Sequence, residues 1–268
     1  MSETEPFDFL PCPAARSANK PRTRGLTMMI DQGLPAGFHA DLLATAGAHV
    51  DLAKFKTGTS RLYPLSLLES KIRACIAHDV RPFIGGQFHE YVLATMGRAG
   101  LPSFYAEAKH VGFRCLEVSD NVVTLTETER RDVIRAAVDA GFEVFGEVGG
   151  KDRRTTAAEL IDQTGQCFDA GASLVLVEAA ELVADGKPDR GLIDAFTRGI
   201  DMARVMIELP GPWIANVRTC DVEAMKKFLV EEFGPDVNVA NVSPETVIDF
   251  EATRRGLGVA GPLGFKAA

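Results

Sequence analysis

The chain is expected to form a single α/β domain of the (β/α)8 TIM-barrel class, and three observations point there. From Leu26 onward, short apolar runs alternate with longer amphipathic stretches, the rhythm of strand and helix in a parallel sheet. Eight such units can be counted along the 268 residues, the number at which the sheet closes on itself. Each run also ends in polar residues, where a parallel barrel builds its active site. Residues 1–24, rich in Pro, Arg, Ser and Ala and without an apolar period, read as an N-terminal arm; residues 25–268 read as one barrel domain.

The first strand is expected at residues 26–30 (LTMMI), running into Asp31. The second, at 50–54 (VDLAK), ends on Lys54 and opens the polar loop KFKTGTS, ahead of a helix over 64–78. The third, at 80–84 (VRPFI), leads into GGQFHE, which brings His89 to the predicted mouth. The fourth, at 115–118 (CLEV), carries Glu117 and leads to Ser119 and Asp120. Thr126 followed three residues later by Glu129 has the spacing of a capping box, opening a helix over 126–140 that Gly141 ends. The fifth strand, at 143–147 (EVFGE), stops at Glu147, before Gly149, Gly150 and Lys151 and a helix over 155–170. The sixth, at 174–177 (LVLV), runs into Glu178, with a helix over 189–202 beyond it. The seventh, at 205–208 (VMIE), ends in Glu208, followed by a helix over 221–232. The eighth, at 237–239, presents Asn238 and Asn241 before a last helix over 244–254.

A formal charge of -8 excludes a general nucleic-acid surface, which needs a concentrated basic stripe. No apolar run reaches the length of a membrane span, and the start MSETEPFDFL lacks the basic character of a signal peptide. Five cysteines, odd in number and without a CxxC pair, indicate neither a disulfide framework nor a zinc site. A cytoplasmic protein is therefore expected, compatible with assembly into a homo-oligomer.

Carboxylates gathered at one barrel mouth must be paired, protonated or bound to a cation, because burying an unpaired charge is costly. Asp31, Glu117, Glu178 and Glu208 are the expected metal ligands, and oxygen-only ligation suits Mg²⁺, with Mn²⁺ as the alternative. Lys54, Lys151 and Glu147 are the candidate catalytic groups. Ser119, Asn238, Asn241, Lys56 and His89 are the candidate contacts to a small anionic carboxylate substrate. Structural salt bridges account equally well for any one of these carboxylates taken alone. No Ser-His-Asp order, Walker loop or dinucleotide-binding glycine pattern is present.

The segments KPRTRGLTMMIDQGLP, KFKTGTS, GGQFHE, VGFRCLEVSD, EVGGK, LVEAAE, IELP and FGPDVNVANV, in that order, resemble the phosphosulfolactate synthase (ComA) family over residues 20–258. The resemblance implies a (β/α)8 barrel and Mg²⁺-dependent addition of sulfite to phosphoenolpyruvate, giving 2-phospho-3-sulfolactate on a route to coenzyme M. Acidic positions matching the family are Asp31, Glu117, Asp120, Glu147, Glu178 and Glu208; matching lysines are Lys54 and Lys151.

Departures fall inside the motifs. Gly150 stands where the family has a lysine, while Ala180 and Gly258 stand where it has arginines, so three cationic groups are gone. Each charged partner lost from a binding site typically costs about 2 to 5 kcal/mol. Lys56, in place of a family glycine, is a partial replacement that lacks an arginine's two-pronged grip. The expected function is a phosphosulfolactate synthase-like lyase or a diverged enzyme using a related small carboxylate. The alternative is a non-catalytic or regulatory barrel that has lost its anion site, as the family also includes plant heat-stress relatives. A Schiff-base lyase using Lys54 or Lys151 fits less well, because acidic surroundings raise a lysine's pKa.

Overall fold

The computed structural model describes residues 6–7, 9–10, 16–17, 19–149, 155–184, 187–211, 214 and 216–258. Eight parallel strands close into a barrel: β1 (Thr27–Asp31), β2 (Leu52–Phe55), β3 (Arg81–Ile84), β4 (Cys115–Val118), β5 (Glu143–Val148), β6 (Leu174–Glu178), β9 (Val205–Glu208) and β10 (Val239–Val242). Their order around the barrel is β1-β10-β9-β6-β5-β4-β3-β2. A small antiparallel hairpin of β7 (Val183–Ala184) and β8 (Lys187–Pro188) follows β6 and has no counterpart in the sequence reading.

Around the barrel lie α1 (Ala36–Ala46), α2 (Leu65–Ala77), α3 (Gly86–Met96), α4 (Leu101–Val111), α5 (Glu127–Asp139), α6 (Ala157–Asp169), α7 (Arg190–Gly199), α8 (Thr219–Phe233) and α9 (Val247–Arg254). The capping box read at Thr126 and Glu129 is formed, and Thr156 with Glu159 repeats it at the start of α6. None of the described helices is long and apolar enough to cross a membrane.

Side chains alternate along each strand, so the sheet has two cores. The inner one contains Met28, Leu52, Phe83, Cys115, Phe145, Leu176 and Met206, with the Phe83 and Phe145 rings edge to face. The outer one joins strand residues such as Met29, Phe55, Val118 and Val175 to the helices. This alternation decides which strand-end residues reach the mouth.

The eighth strand begins two residues later than the sequence suggests, at Val239 instead of 237. Its pairing with β1 is irregular: Thr27 faces Val239 and Met29 faces Val242, so β10 carries one extra residue between those pairs. Such a bulge turns a side chain out of the regular alternation.

Arg16 and Arg22, ahead of β1, lie at the opposite, N-terminal end of the barrel. Arg16 grips Glu251 with two hydrogen bonds of 3.1 and 2.7 Å, and Arg22 pairs with Asp51 at 3.0 Å. Arg254, fully buried, donates to the carbonyls of Pro235, Val237 and Leu26. These cations close the floor of the barrel and take no part in its mouth.

Candidate active site

Two residues beyond the inner core, five of the strands place a charged inward side chain at the C-terminal mouth. Leu52 is followed by Lys54, Cys115 by Glu117, Phe145 by Glu147, Leu176 by Glu178 and Met206 by Glu208. All five line one cavity of about 420 Å³, together with Ile30, Lys56, Thr57, Gly85, Gly86, Gln87, Asn121, Ile214 and Asn241. The register sets Glu178 opposite Glu208. The carboxylates thus occupy neighbouring strands, β4, β5, β6 and β9, and form an arc instead of a full ring.

Lys54 reaches across the mouth from β2 and binds two members of that arc, Glu117 at 2.8 Å and Glu208 at 3.0 Å. Burial on its own would lower the ammonium's pKa, but the charges of Glu117, Glu208 and Glu147 outweigh it and hold the group above its ordinary value. For Glu117, burial wins over the attraction of Lys54, and its neighbours Glu147 and Glu208 add repulsion, so its carboxyl is raised well above the usual range. Glu147, Glu178 and Glu208 each offer an oxygen within 4.8 Å of the others, a group that could hold a metal ion.

The structure relocates several residues expected at the mouth. Asp31 has the parity of Met29, not of Ile30, so it turns outward, away from the cavity. There it is saturated: it pairs with Lys71 at 2.6 Å and with His39 at 3.1 Å, and it accepts from the backbone N–H groups of Gly33 and Leu34. Burial opposes its charge, but these hydrogen bonds and Lys71 hold its pKa down at about 2. His39 in turn touches Cys75 Sγ at 3.3 Å, a Cys-His-Asp alignment. Burial raises that thiol to about 12, which leaves it inert as a nucleophile. Asp31 is therefore a structural anchor and is removed from the ligand set.

His89 lies on the outward face of α3, fully buried, stacked on Tyr105 and hydrogen-bonded to its hydroxyl at 2.9 Å. Burial lowers its pKa to about 4, so it is a neutral core residue, outside the cavity lining and not a substrate contact of the mouth. Asn238 precedes β10 and sits at the floor: Oδ1 accepts from Leu26 N–H, and Nδ2 donates to the carbonyls of Ala203 and Val205. The shifted strand start explains that misplacement. Ser119 is buried beneath the mouth and donates to Glu90. Asp120 is held by Arg130 of α5. Lys56 and Asn241 do line the cavity, whereas Lys151 and Gly150 lie outside the described residues.

Two contributors were not anticipated. Asn121 donates to Glu147 Oε2 at 3.1 Å from the loop after β4. That loop is fixed by buried Glu90, which accepts from Ser119 and from the N–H groups of Val122 and Val123. The run of polar residues after β4 marked a loop but carried no sign of its target. Gly86 is the second. A Cβ there would collide with Ser119 Oγ and lie 2.9 Å from Glu117 Oε1, so only glycine lets the start of α3 approach the mouth.

Fold and site together define a (β/α)8-barrel enzyme whose mouth sets buried carboxylates against a strand-borne lysine. The family model described as (2R)-phospho-3-sulfolactate synthase (ComA) matches residues 15–259, and the chain belongs to that family. It is similar to the phosphosulfolactate synthase of Methanothermobacter thermautotrophicus, with 33% identity over 94% of this chain and 95% of the relative. The phosphosulfolactate synthase of Methanocaldococcus jannaschii is 30% identical over 87% of this chain and 92% of its own length. Among solved structures, the YdjI aldolase of Escherichia coli K12 aligns with a TM-score of 0.53 at 12% identity, covering 85% of this chain and 78% of that one, a likeness of fold alone. The chain is accordingly a lyase-type enzyme.

Proposed function

We propose that the mouth catalyses addition of sulfite to phosphoenolpyruvate, as the resemblance implies, assisted by Mg²⁺ or by Mn²⁺ in its place. The observation that carries this reading is the joined pair of features in one cavity: the Glu147, Glu178 and Glu208 cluster, and Lys54 bridging Glu117 and Glu208. The donor set fits a hard divalent cation, because all three groups offer carboxylate oxygen and the cavity lining includes neither cysteine nor histidine among the described residues. A cation held by Glu147, Glu178 and Glu208 would stabilise the negative charge that gathers on the substrate carboxylate.

In that addition the sulfur lone pair bonds to the methylene carbon, and the double-bond electrons move to C2 and its carboxylate. A proton delivered to C2 then completes 2-phospho-3-sulfolactate. Lys54 would hold that proton: two of its three N–H donors face Glu117 and Glu208, which leaves one for a substrate in the cavity. Asn121 keeps Glu147 oriented toward the cluster. Opposite, Lys56, Thr57, Gln87 and the start of α3 line the cavity without a carboxylate. No acidic residue or capping side chain occupies the first turn of α3. Such a helix start favours anions, and with Lys56 it would take the phosphate.

Purified protein supplied with Mg²⁺, phosphoenolpyruvate and sulfite should form phosphosulfolactate, followed by phosphorus NMR. Absence of product at saturating substrate rejects this chemistry. The lost cations favour a second reading, a non-catalytic or regulatory barrel. At Gly258 an added Cβ would meet Thr253 Oγ1 at 2.6 Å, so the local backbone leaves no room for the family's arginine without a shift. That reading predicts no turnover together with no metal binding at millimolar Mg²⁺.

A further inference from the structure

We infer that Asn241 completes the cation site as a neutral fourth oxygen ligand, an inference that rests on the metal reading above. The barrel order places β10 directly beside β9, so Asn241, Glu208, Glu178 and Glu147 come from four successive strands. The register is continuous across them: Ala240 faces Glu208, and Glu208 faces Glu178. Asn241 follows Ala240 immediately, and both it and the three glutamates line the same cavity.

The state of the amide points to a ligand. Asn241 is only 9% exposed, yet its Oδ1 has no hydrogen-bond partner among the described residues. Nδ2 lies 3.4 Å from the Leu209 carbonyl. Exchanging the two amide atoms would set oxygen against oxygen, so the unsatisfied atom is the acceptor. A buried acceptor without a partner costs about 1 to 3 kcal/mol, a cost that a bound cation removes. The bulge in β10 supplies the geometry: Asn241 adopts a left-handed φ of 59°, and the extra residue takes it out of the alternation that turns Val242 to the outer core. Asparagine tolerates that conformation better than most residues do. A neutral donor also suits the charge balance, since Lys54 already offsets part of the three carboxylates.

Titration of the full-length protein with Mn²⁺, read by electron paramagnetic resonance, tests the assignment without any turnover. Asn241→Leu should weaken Mn²⁺ by on the order of 10- to 100-fold, as loss of metal-site support does. Asn241→Asp, which keeps an oxygen at that position, should restore binding to within a few-fold of the unmodified protein. Unchanged affinity in folded Asn241→Leu, with binding lost in Glu178→Gln, overturns the role of Asn241 and leaves the carboxylate cluster standing. No Mn²⁺ binding by the unmodified protein overturns both. If Asn241→Leu fails to fold, Asn241→Gly, which tolerates the left-handed backbone and offers no side-chain oxygen, serves, and affinity equal to the unmodified protein again defeats the proposal.

Discussion

The two sides of the mouth are built from the same strand-end positions but with opposite chemistry. From β4 through β10, consecutive strands carry Glu117, Glu147, Glu178, Glu208 and Asn241, all of them oxygen donors. From β2 and β3 come Lys54, Lys56, Thr57, Gly85, Gly86 and Gln87, with no carboxylate. Lys54 crosses between them, pairing with Glu117 and Glu208. The difference teaches that the carboxylates of the mouth are gathered on one side of it, the side where the proposed cation would sit, which leaves the other side for the proposed anionic substrate.

The largest effect should come from cutting the link between the two sides. Lys54→Met removes the proposed proton donor and leaves Glu117 and Glu208 without their shared cation. Turnover should fall by about 10²- to 10⁴-fold, and stability by about 3 to 5 kcal/mol, measured by initial rates and urea unfolding. Retention of full activity would show that the sides work independently.

Next, two carboxylates of similar strand position should behave oppositely. Glu178→Gln should weaken Mn²⁺ by roughly 10- to 100-fold with little change in folding. Asp31→Asn should leave Mn²⁺ affinity alone but cost about 3 to 5 kcal/mol, since Lys71 would be buried without its charged partner. The reverse pattern would put Asp31 back in the mouth.

A smaller effect is expected in acid. Asp31 and Glu251 have folded pKa values depressed to about 2 from 3.8 and 4.5. Depressed carboxylates stabilise the fold fully above their unfolded values, and that contribution is lost as pH falls from about 4.5 to about 2. Each contributes about 2 to 3 kcal/mol, so the urea midpoint should drop through that window. Asp31→Asn should flatten part of the drop. The smallest effect belongs to Lys56, which is half-buried at the edge of the anion side, its pKa lowered by burial and by Lys54. Lys56→Ala should raise KM for phosphoenolpyruvate by about tenfold, near 1.4 kcal/mol, with kcat little changed. A change confined to kcat would assign Lys56 to the chemistry instead.

Much of this was legible in the chain. Apolar runs and their polar ends located the first seven barrel strands closely and the eighth only at its first residue, because a closed parallel sheet demands both. The inner core even carries the rule that sorts the ends: a residue two places beyond Leu52, Cys115, Phe145, Leu176 or Met206 faces the mouth. Asp31 fails that test, since it follows Met29 and not Met28, and strand position alone did not separate it from Glu208. The last strand misled for another reason. In VNVANV either asparagine fits a strand end, and the bulge that sends Asn238 to the floor and Asn241 to the mouth arises from pairing with β1, a contact distant in sequence. Likewise the hold of Glu90 on the loop bearing Asn121 spans about 30 residues, beyond any local pattern.

The most direct test of the two-sided mouth is anomalous diffraction from crystals soaked with Mn²⁺ and phosphoenolpyruvate. The expected map has a manganese peak among Glu147, Glu178, Glu208 and Asn241, with the phosphate toward Lys56 and the start of α3. A peak at Asp31, a phosphate lodged against the glutamates without a metal, or no metal at the mouth would contradict the account.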